Sequence, residues 1–179
     1  MVILLSLLIL VGCGNKSVEY DQPETEVMDM SGYGLETENF HYLNLNKMFE
    51  LMDDKKTFIV VLSHVGCPWC EGLLPVLDMI INDKEMQVYY LNSLSEEIAS
   101  DTEGLDKLLD LAKEYVTYED DKPVLWVPSI FYVQQGKIVD VHEGTVNTHP
   151  AKEREMTDKE IARLEYQLSR EFDALLVRK

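Results

Sequence analysis

The sequence predicts an α/β protein with a mixed central sheet of four to five strands and helices on both faces. Two observations lead to this fold class. Apolar runs at residues 58–62 and 86–92 flank a stretch with helical spacing, which is the pattern of a βαβ unit. The runs SIFYV and KIVDVHEG, residues 129–133 and 137–144, are joined by a hairpin signal. A βαβ unit followed by a hairpin combines parallel and antiparallel pairs in one sheet.

Four stretches have apolar residues at the spacing of a helix. Their apolar positions are Leu45, Met48, Phe49 and Met52; Leu73, Leu74, Leu77, Ile80 and Ile81; Leu105, Leu108, Leu109 and Ala112; and Ile161, Leu164, Leu168, Phe172 and Leu175. Thr157 and Glu160 form a capping box at the start of the last helix. The third stretch lies in a polar, acidic segment, residues 93–121, so we expect an enlarged region between the second core strand and the final hairpin.

The charge of the chain limits its partners. It carries 33 acidic and 16 basic residues, a net charge of −17. Phosphate binding requires clustered Lys and Arg, so nucleic acid is excluded as a partner. Tight electrostatic binding to anionic lipid headgroups is disfavoured for the same reason. The composition therefore predicts a soluble domain with an acidic surface.

The N-terminus has the pattern of an export signal. Residues 2–11, VILLSLLILV, are almost uniformly apolar but too few to span a bilayer, which takes about 20 residues. The run ends at Gly12-Cys13 and resembles the lipobox of bacterial lipoproteins, in which the cysteine is lipidated and becomes the mature N-terminus. We expect a signal peptide at residues 1–12 and a lipid on Cys13. No Lys or Arg precedes the apolar run, which leaves the natural start of the chain open.

The segment after Cys13 predicts a spacer between a membrane and a folded domain. Residues 14–38 are rich in acids and have no sustained apolar period, as in a disordered, solvated tether. An added N-terminal hairpin is the alternative. The predicted organisation is a lipidated acidic tether at residues 13–38 and one folded domain at residues 39–179, on the extracytoplasmic face of a bacterial membrane.

The motif Cys67-Pro68-Trp69-Cys70 holds the two remaining cysteines, and export would bring them to a compartment where disulfides persist. They could form a redox couple, a metal clip or a structural staple. A helix beginning at Cys67 would stabilise a thiolate there through its free amide N–H groups. Cys67 is then the exposed, ionised nucleophile, and Cys70, one turn deeper, resolves the mixed disulfide. Pro68 suits the first helical turn. Trp69 offers an apolar contact for substrate, with packing against the domain as the alternative.

The cysteine motif after an apolar strand resembles the active site of the thioredoxin superfamily. Further positions agree with that family: Pro75, Val127-Pro128, Gly136 and Gly144. The resemblance covers residues 40–176 and implies a thioredoxin-like fold and thiol–disulfide oxidoreductase activity. It also implies that Pro128 is a cis-proline facing the cysteines and that the Val127 backbone pairs with an extended substrate. The redox-active disulfide would be the only cofactor.

The chain departs from the family pattern at positions 61 and 66 and in the inner dipeptide of the motif, which is Pro68-Trp69 where the family has Gly-Pro. The family carries a buried acid six residues before its first cysteine, where this chain has Val61, and a tryptophan before the motif, where it has Gly66. Without the buried acid, Cys70 needs another proton acceptor, for which water, His64 or Glu71 are the candidates. The direction of the reaction, whether oxidation, reduction or isomerisation, is not readable from the inner dipeptide.

The expected partners are exported protein or peptide substrates, an unidentified redox partner and, through the lipid anchor, the membrane. The chain resembles thioredoxin-like lipoproteins of Gram-positive bacteria, some of which are called bacteriocin transport accessory proteins. A non-catalytic binding module for peptide export is therefore an alternative function. A metallochaperone using His64, Cys67 and Cys70 is another, but metal sites usually need three or four ligands, and His41, His142 and His149 lack a ligand spacing, so no metal is expected.

Overall fold

The computed structural model describes residues 18–177. Its strands are β1 (Phe40–Tyr42), β2 (Phe58–Ser63), β3 (Val88–Asn92), β4 (Tyr118–Glu119), β5 (Lys122–Pro123), β6 (Ser129–Gln134) and β7 (Lys137–Glu143). Its helices are α1 (Leu45–Asp53), α2 (Pro68–Asp83), α3 (Glu96–Ser100), α4 (Thr102–Ala112) and α5 (Asp158–Leu175), with one turn of 3-10 helix at Ser31–Tyr33. The predicted signal peptide and Cys13 lie outside the described residues.

Five strands form one mixed sheet in the order β1-β3-β2-β6-β7. Strands β1 and β2 run parallel to β3, while β6 is antiparallel to both β2 and β7. The predicted mixed sheet of four to five strands is therefore confirmed. β1 was not among the strands that the apolar runs predict, since it has only three residues and lies at the edge of the sheet. β2 is buried on both faces along its whole length, which explains its uninterrupted apolar run.

Helices cover both faces of the sheet, as predicted. α2 and α5 share an apolar cluster with one face of β2, β3 and β6. α1 and α4 pack on the opposite face, where the alternate residues of the same strands point. The predicted capping box of Thr157 and Glu160 is present at the start of α5. Helix α2 carries Pro75 in its interior.

A two-residue turn joins β6 to β7. Gln135 and Gly136 both have positive φ, 49° and 76°, which suits the tight hairpin predicted from the sequence. Glycine is also required at position 136 for steric reasons, because a Cβ there would collide with the backbone oxygen of Met52. The turn thereby fixes the hairpin against the end of α1.

The predicted tether at residues 13–38 is wrong for its described part, which packs along the domain. The Val18 amide donates to the Leu176 carbonyl (2.9 Å), so the segment starts beside the end of α5. The Tyr20 hydroxyl donates to the Gln87 carbonyl (2.6 Å). These bonds join the segment to two distant parts of the folded domain.

The segment then runs beside the edge strand and covers part of the core. Val27 forms an antiparallel bridge with His41 of β1, and Met30 is only 2% exposed. The 3-10 helix Ser31–Tyr33 follows and contacts α2. Its few apolar residues are irregularly spaced because the segment is neither helix nor regular strand, so they left no periodic signal in the sequence.

The expected enlarged region lies between β3 and β6. It contains α3, α4 and the short β4–β5 hairpin, so the predicted helical segment at residues 93–121 is in fact two helices and part of a hairpin. Within residues 18–177, every helix is too short or too polar to cross a membrane.

Candidate active site

Cys67 lies at the start of a helix. The chain leaves β2 at Ser63 and turns at Gly66, which has a φ of 86°. Cys67 is the N-cap of α2, and Pro68 occupies the first turn of that helix. The Cys67 Sγ accepts a hydrogen bond from the backbone N–H of Cys70 at 3.3 Å. The sulfur is thus positioned by an amide that has no partner inside the helix, as at other helix N-termini.

A cis peptide bond faces this sulfur. The bond between Val127 and Pro128 is cis, and the Val127 carbonyl oxygen is 3.6 Å from the Cys67 Sγ. Pro128 precedes β6, the antiparallel neighbour of β2, so the two loops meet at the same edge of the sheet. The fold therefore brings Cys67 and Val127 together, although they are 60 positions apart in the sequence, as the resemblance implies.

Cys67 is less exposed than the sequence analysis expects. Only 7% of its surface is accessible, because the Val127 carbonyl and the helix start cover the sulfur. It lies at a groove of about 800 Å³ that Trp69, Trp126 and Val127 also line. The groove is therefore the route by which we expect a substrate to approach Cys67.

The predicted substrate-binding residues share the groove. Pro68, Trp69 and Val127 all line it, and the Lys152 ammonium lies 5.5 Å from the centre of the Trp69 ring. Trp126 adds a second indole, 48% exposed, directly before the cis peptide bond. The groove thus offers two indole side chains near the cysteine, suited to apolar side chains of an extended chain.

Cys70 is the deeper of the two cysteines. It is fully buried, and it is a free thiol like Cys67. Burial, followed by the hydrogen bond with Cys67, raises the pKa of Cys70 to about 12. Hydrogen bonds with the Ser63 hydroxyl and the His64 backbone act in the opposite direction. Cys70 is therefore protonated at neutral pH and must lose its proton before it can attack a disulfide.

His64 and Glu71, the residues predicted to accept the proton of Cys70, line two different cavities. The His64 Nδ1 is 2.8 Å from the Ser93 Oγ, and His64 lines the groove beside Cys67. Glu71 is exposed on α2 and lines a separate cavity of about 480 Å³. Among the described residues, neither side chain forms a hydrogen bond with Cys70.

The other histidines serve the packing of the domain. His41 bonds the Thr25 carbonyl (2.7 Å). His142 bonds Glu171 (3.1 Å), and His149 bonds the Thr145 hydroxyl (2.9 Å). No three His, Cys, Asp or Glu side chains of residues 18–177 are grouped in a way that could hold a metal ion.

Sequence reasoning missed Ser63, Tyr33 and Tyr90, whose hydroxyls lie on the buried side of the cysteines. Ser63 follows Val61 by two residues and so points to the same face of β2, which is the one signal that could have found it. Tyr33 gave no signal, because it belongs to the segment predicted to be a tether. Trp126 was also missed, although it stands next to the predicted Val127-Pro128 pair.

The comparisons with known proteins concern structure. No family model matches the chain. Thioredoxin O2 from Arabidopsis thaliana in its oxidised state is 13% identical, with a TM-score of 0.47, over 74% of this chain and 93% of that one. A poplar thioredoxin h is 14% identical, with a TM-score of 0.44, over 79% and 99%. Thioredoxin from Aeropyrum pernix is 21% identical, with a TM-score of 0.38, over 57% and 73%.

The fold class follows from the chain's own topology. The sheet order, the cysteine motif at the start of α2 and the cis peptide bond before β6 make the fold thioredoxin-like, as the sequence predicts.

Proposed function

We propose that this protein is a thiol–disulfide oxidoreductase that acts on exported proteins through Cys67 and Cys70. The observation that carries the proposal is the position of the Cys67 sulfur. It accepts an amide hydrogen bond at the start of α2 and is 3.6 Å from the carbonyl before a cis-proline, with Cys70 directly behind it. A structural staple would need neither the groove nor the asymmetry between the two sulfurs.

The proposed reaction has two exchange steps. The Cys67 thiolate attacks a substrate disulfide and forms a Cys67–substrate disulfide, while the S–S bond of the substrate breaks and one substrate sulfur leaves as a thiolate. Cys70 then loses its proton and attacks Cys67, which forms the Cys67–Cys70 disulfide and releases the second substrate thiol. The same steps in reverse transfer the internal disulfide to a reduced substrate. The Val127 backbone and the faces of Trp69 and Trp126 would hold an extended substrate beside Cys67.

The proposed location is the outer face of a bacterial membrane, with a lipid on Cys13. The apolar run at residues 2–11 and the Gly12-Cys13 pair support this location. Because Val18 is already bonded to the domain, the connection from Cys13 spans at most about 18 Å. The proposal therefore puts the domain close to the membrane surface, since the acidic segment that could have been a long spacer is part of the fold.

The experiment that tests the function measures catalysis of disulfide exchange by the full-length protein. We expect the wild-type chain to accelerate insulin reduction by dithiothreitol, or the oxidative refolding of reduced ribonuclease. The double variant Cys67→Ala/Cys70→Ala is the background control. A wild-type protein that matches the double variant in both assays would contradict an enzymatic function and favour a binding module that uses the same groove.

A further inference from the structure

Three hydroxyl groups form a continuous cluster behind Cys70. The Tyr33 Oη is 2.8 Å from the Ser63 Oγ and 2.9 Å from the Tyr90 Oη. The Ser63 hydroxyl also lies near enough to the Cys70 sulfur to lower the pKa of that thiol. The rings of Tyr33 and Tyr90 meet edge to face, with their centres 6.4 Å apart. The cluster thus leads from the resolving cysteine to the N-terminal segment, residues 18–38.

The three hydroxyls come from three separate elements. Ser63 ends β2 and Tyr90 lies in β3, the parallel neighbour of β2. Tyr33 comes from the 3-10 helix of the N-terminal segment. This helix lies so close to the loop before Cys67 that a Cβ on Gly32 would be 2.7 Å from a methyl group of Val65. The N-terminal segment therefore forms one wall of the cysteine site.

The surroundings make these hydroxyls effective donors. Ser63 and Cys70 are inaccessible to solvent, and Tyr90 is 3% exposed. Burial raises the pKa of Tyr33 and of Tyr90, so both phenols keep their protons at neutral pH. A hydrogen bond to a charged group is stronger in such a poorly solvated place than at the surface. The cluster can therefore supply to Cys70 the polar support that Val61 cannot.

We propose that Ser63, oriented by Tyr33 and Tyr90, stabilises the thiolate of Cys70 while the mixed disulfide is resolved. This inference rests on the proposed exchange reaction. In the thiolate state the Tyr90 hydroxyl donates to Tyr33, Tyr33 donates to Ser63, and Ser63 donates to the Cys70 sulfur. In the thiol state the Cys70 S–H can donate to Ser63 and the chain reverses. The hydroxyl hydrogens rotate, and the heavy atoms stay in place.

The atoms of the supported step balance. The Cys70 sulfur forms a bond with the Cys67 sulfur as the bond between Cys67 and the substrate sulfur breaks. The electron pair of the broken bond leaves with the substrate sulfur, and that sulfur takes up the proton that Cys70 gives up. In this proposal Ser63 acts on the reacting Cys70 sulfur directly and is a catalytic residue, whereas Tyr33 and Tyr90 act through it as positioning residues.

The test separates the two exchange steps with dithiobis(nitrobenzoate). Full-length protein carrying Cys13→Ala is used, so that Cys67 and Cys70 are its only thiols. Attack by Cys67 releases the first thionitrobenzoate, and attack by Cys70 on the resulting mixed disulfide releases the second. Stopped-flow absorbance follows both releases as a function of pH. The variants are Ser63→Ala and Tyr33→Phe. Tyr20→Phe is the matched control, because Tyr20 lies in the same N-terminal segment as Tyr33 and its hydroxyl donates to the Gln87 carbonyl.

We expect Ser63→Ala to slow the second release about tenfold, the effect of losing one hydrogen bond to an ionised group. Tyr33→Phe should slow it about threefold, since it removes the neutral hydrogen bonds of Tyr33 to Ser63 and to Tyr90 and leaves Ser63 in place. In both variants the rise of the second rate should move to higher pH, because the thiolate is less stabilised. The first release and the Tyr20→Phe control should match the parent protein.

A second release with the parent rate and pH profile in both Ser63→Ala and Tyr33→Phe would overturn the inference. Slowing without a shift in the pH profile would also overturn it, since that result indicates a change in packing alone. Thermal unfolding shows that each variant is folded, and Tyr33→Phe preserves the ring that fills the site. The result is separate from the proposed function, because the two releases are measured even in a protein that proves inert toward insulin and ribonuclease.

Discussion

Replacing Cys67 with alanine is expected to reduce insulin reduction and ribonuclease refolding to the uncatalysed background. The Cys67 sulfur is the one that lines the groove, and Cys70 is fully buried behind it. Without Cys67 the remaining thiol has no access to a substrate disulfide, and its pKa of about 12 leaves it protonated. The loss of activity should therefore be complete and should persist at mildly alkaline pH.

The loss should not come from unfolding. The substitution removes a weak N-cap interaction of α2, which costs about 1 kcal/mol of unfolding free energy. Circular dichroism and a urea titration check this point. The conservative variant Cys67→Ser keeps an N-cap acceptor and should be equally inactive. Residual activity above about a tenth of wild type in either variant would show that Cys67 is not the nucleophile.

Replacing Cys70 with serine is expected to trap the mixed disulfide. Cys67 can still attack, but the thiol that would resolve the adduct is gone. With Cys13→Ala as the parent, we expect the variant to hold one glutathione per chain after treatment with glutathione disulfide. The parent protein should instead form the Cys67–Cys70 disulfide and release two glutathione thiols for each glutathione disulfide consumed.

Mass spectrometry of the intact chain measures both products, and dithiothreitol should remove the adduct. Serine is a close match in size, and the Ser63 hydroxyl lies near the Cys70 side chain, so the buried site should tolerate a hydroxyl group. The additional variant Cys67→Ala/Cys70→Ser controls for reaction elsewhere and should bind no glutathione. An adduct that accumulates equally in the parent protein would contradict the resolving role of Cys70.

The sheet and its covering helices were predictable because burial requires apolar residues, and their spacing in the sequence shows which faces are buried. β2 is apolar throughout since helices cover both its faces, and α5 shows a capping box followed by an apolar stripe. β1 and the N-terminal segment were not predictable in this way. The three residues of β1 are too few for a period, and the contacts of Met30 and Tyr33 depend on a surface that only the folded domain provides.

In the candidate site, too, one part was predictable from the sequence and another was not. The cysteine pair and the proline before β6 form a local motif whose spacing can be compared with a known family. The hydroxyl cluster behind Cys70 joins residues 30 and 57 positions apart, and none of them belongs to that motif. The absence of the family's buried acid at Val61 indicated that Cys70 needs other support. It did not indicate that the support would come from Ser63, which lies on the same face of β2 and is hydrogen-bonded to Tyr33.

The most direct measurement is the reduction potential of the Cys67–Cys70 pair. Full-length Cys13→Ala protein is equilibrated with glutathione and dithiothreitol buffers of defined potential, and its free thiols are counted by alkylation and mass spectrometry. An exchanging couple predicts a reversible two-electron transition at a midpoint between about −270 and −120 mV, the range of thioredoxin-type and DsbA-type couples. A pair that stays oxidised below about −300 mV would be a structural disulfide, and a pair that never forms a disulfide would be no couple at all. Either result would contradict the redox function proposed for Cys67 and Cys70.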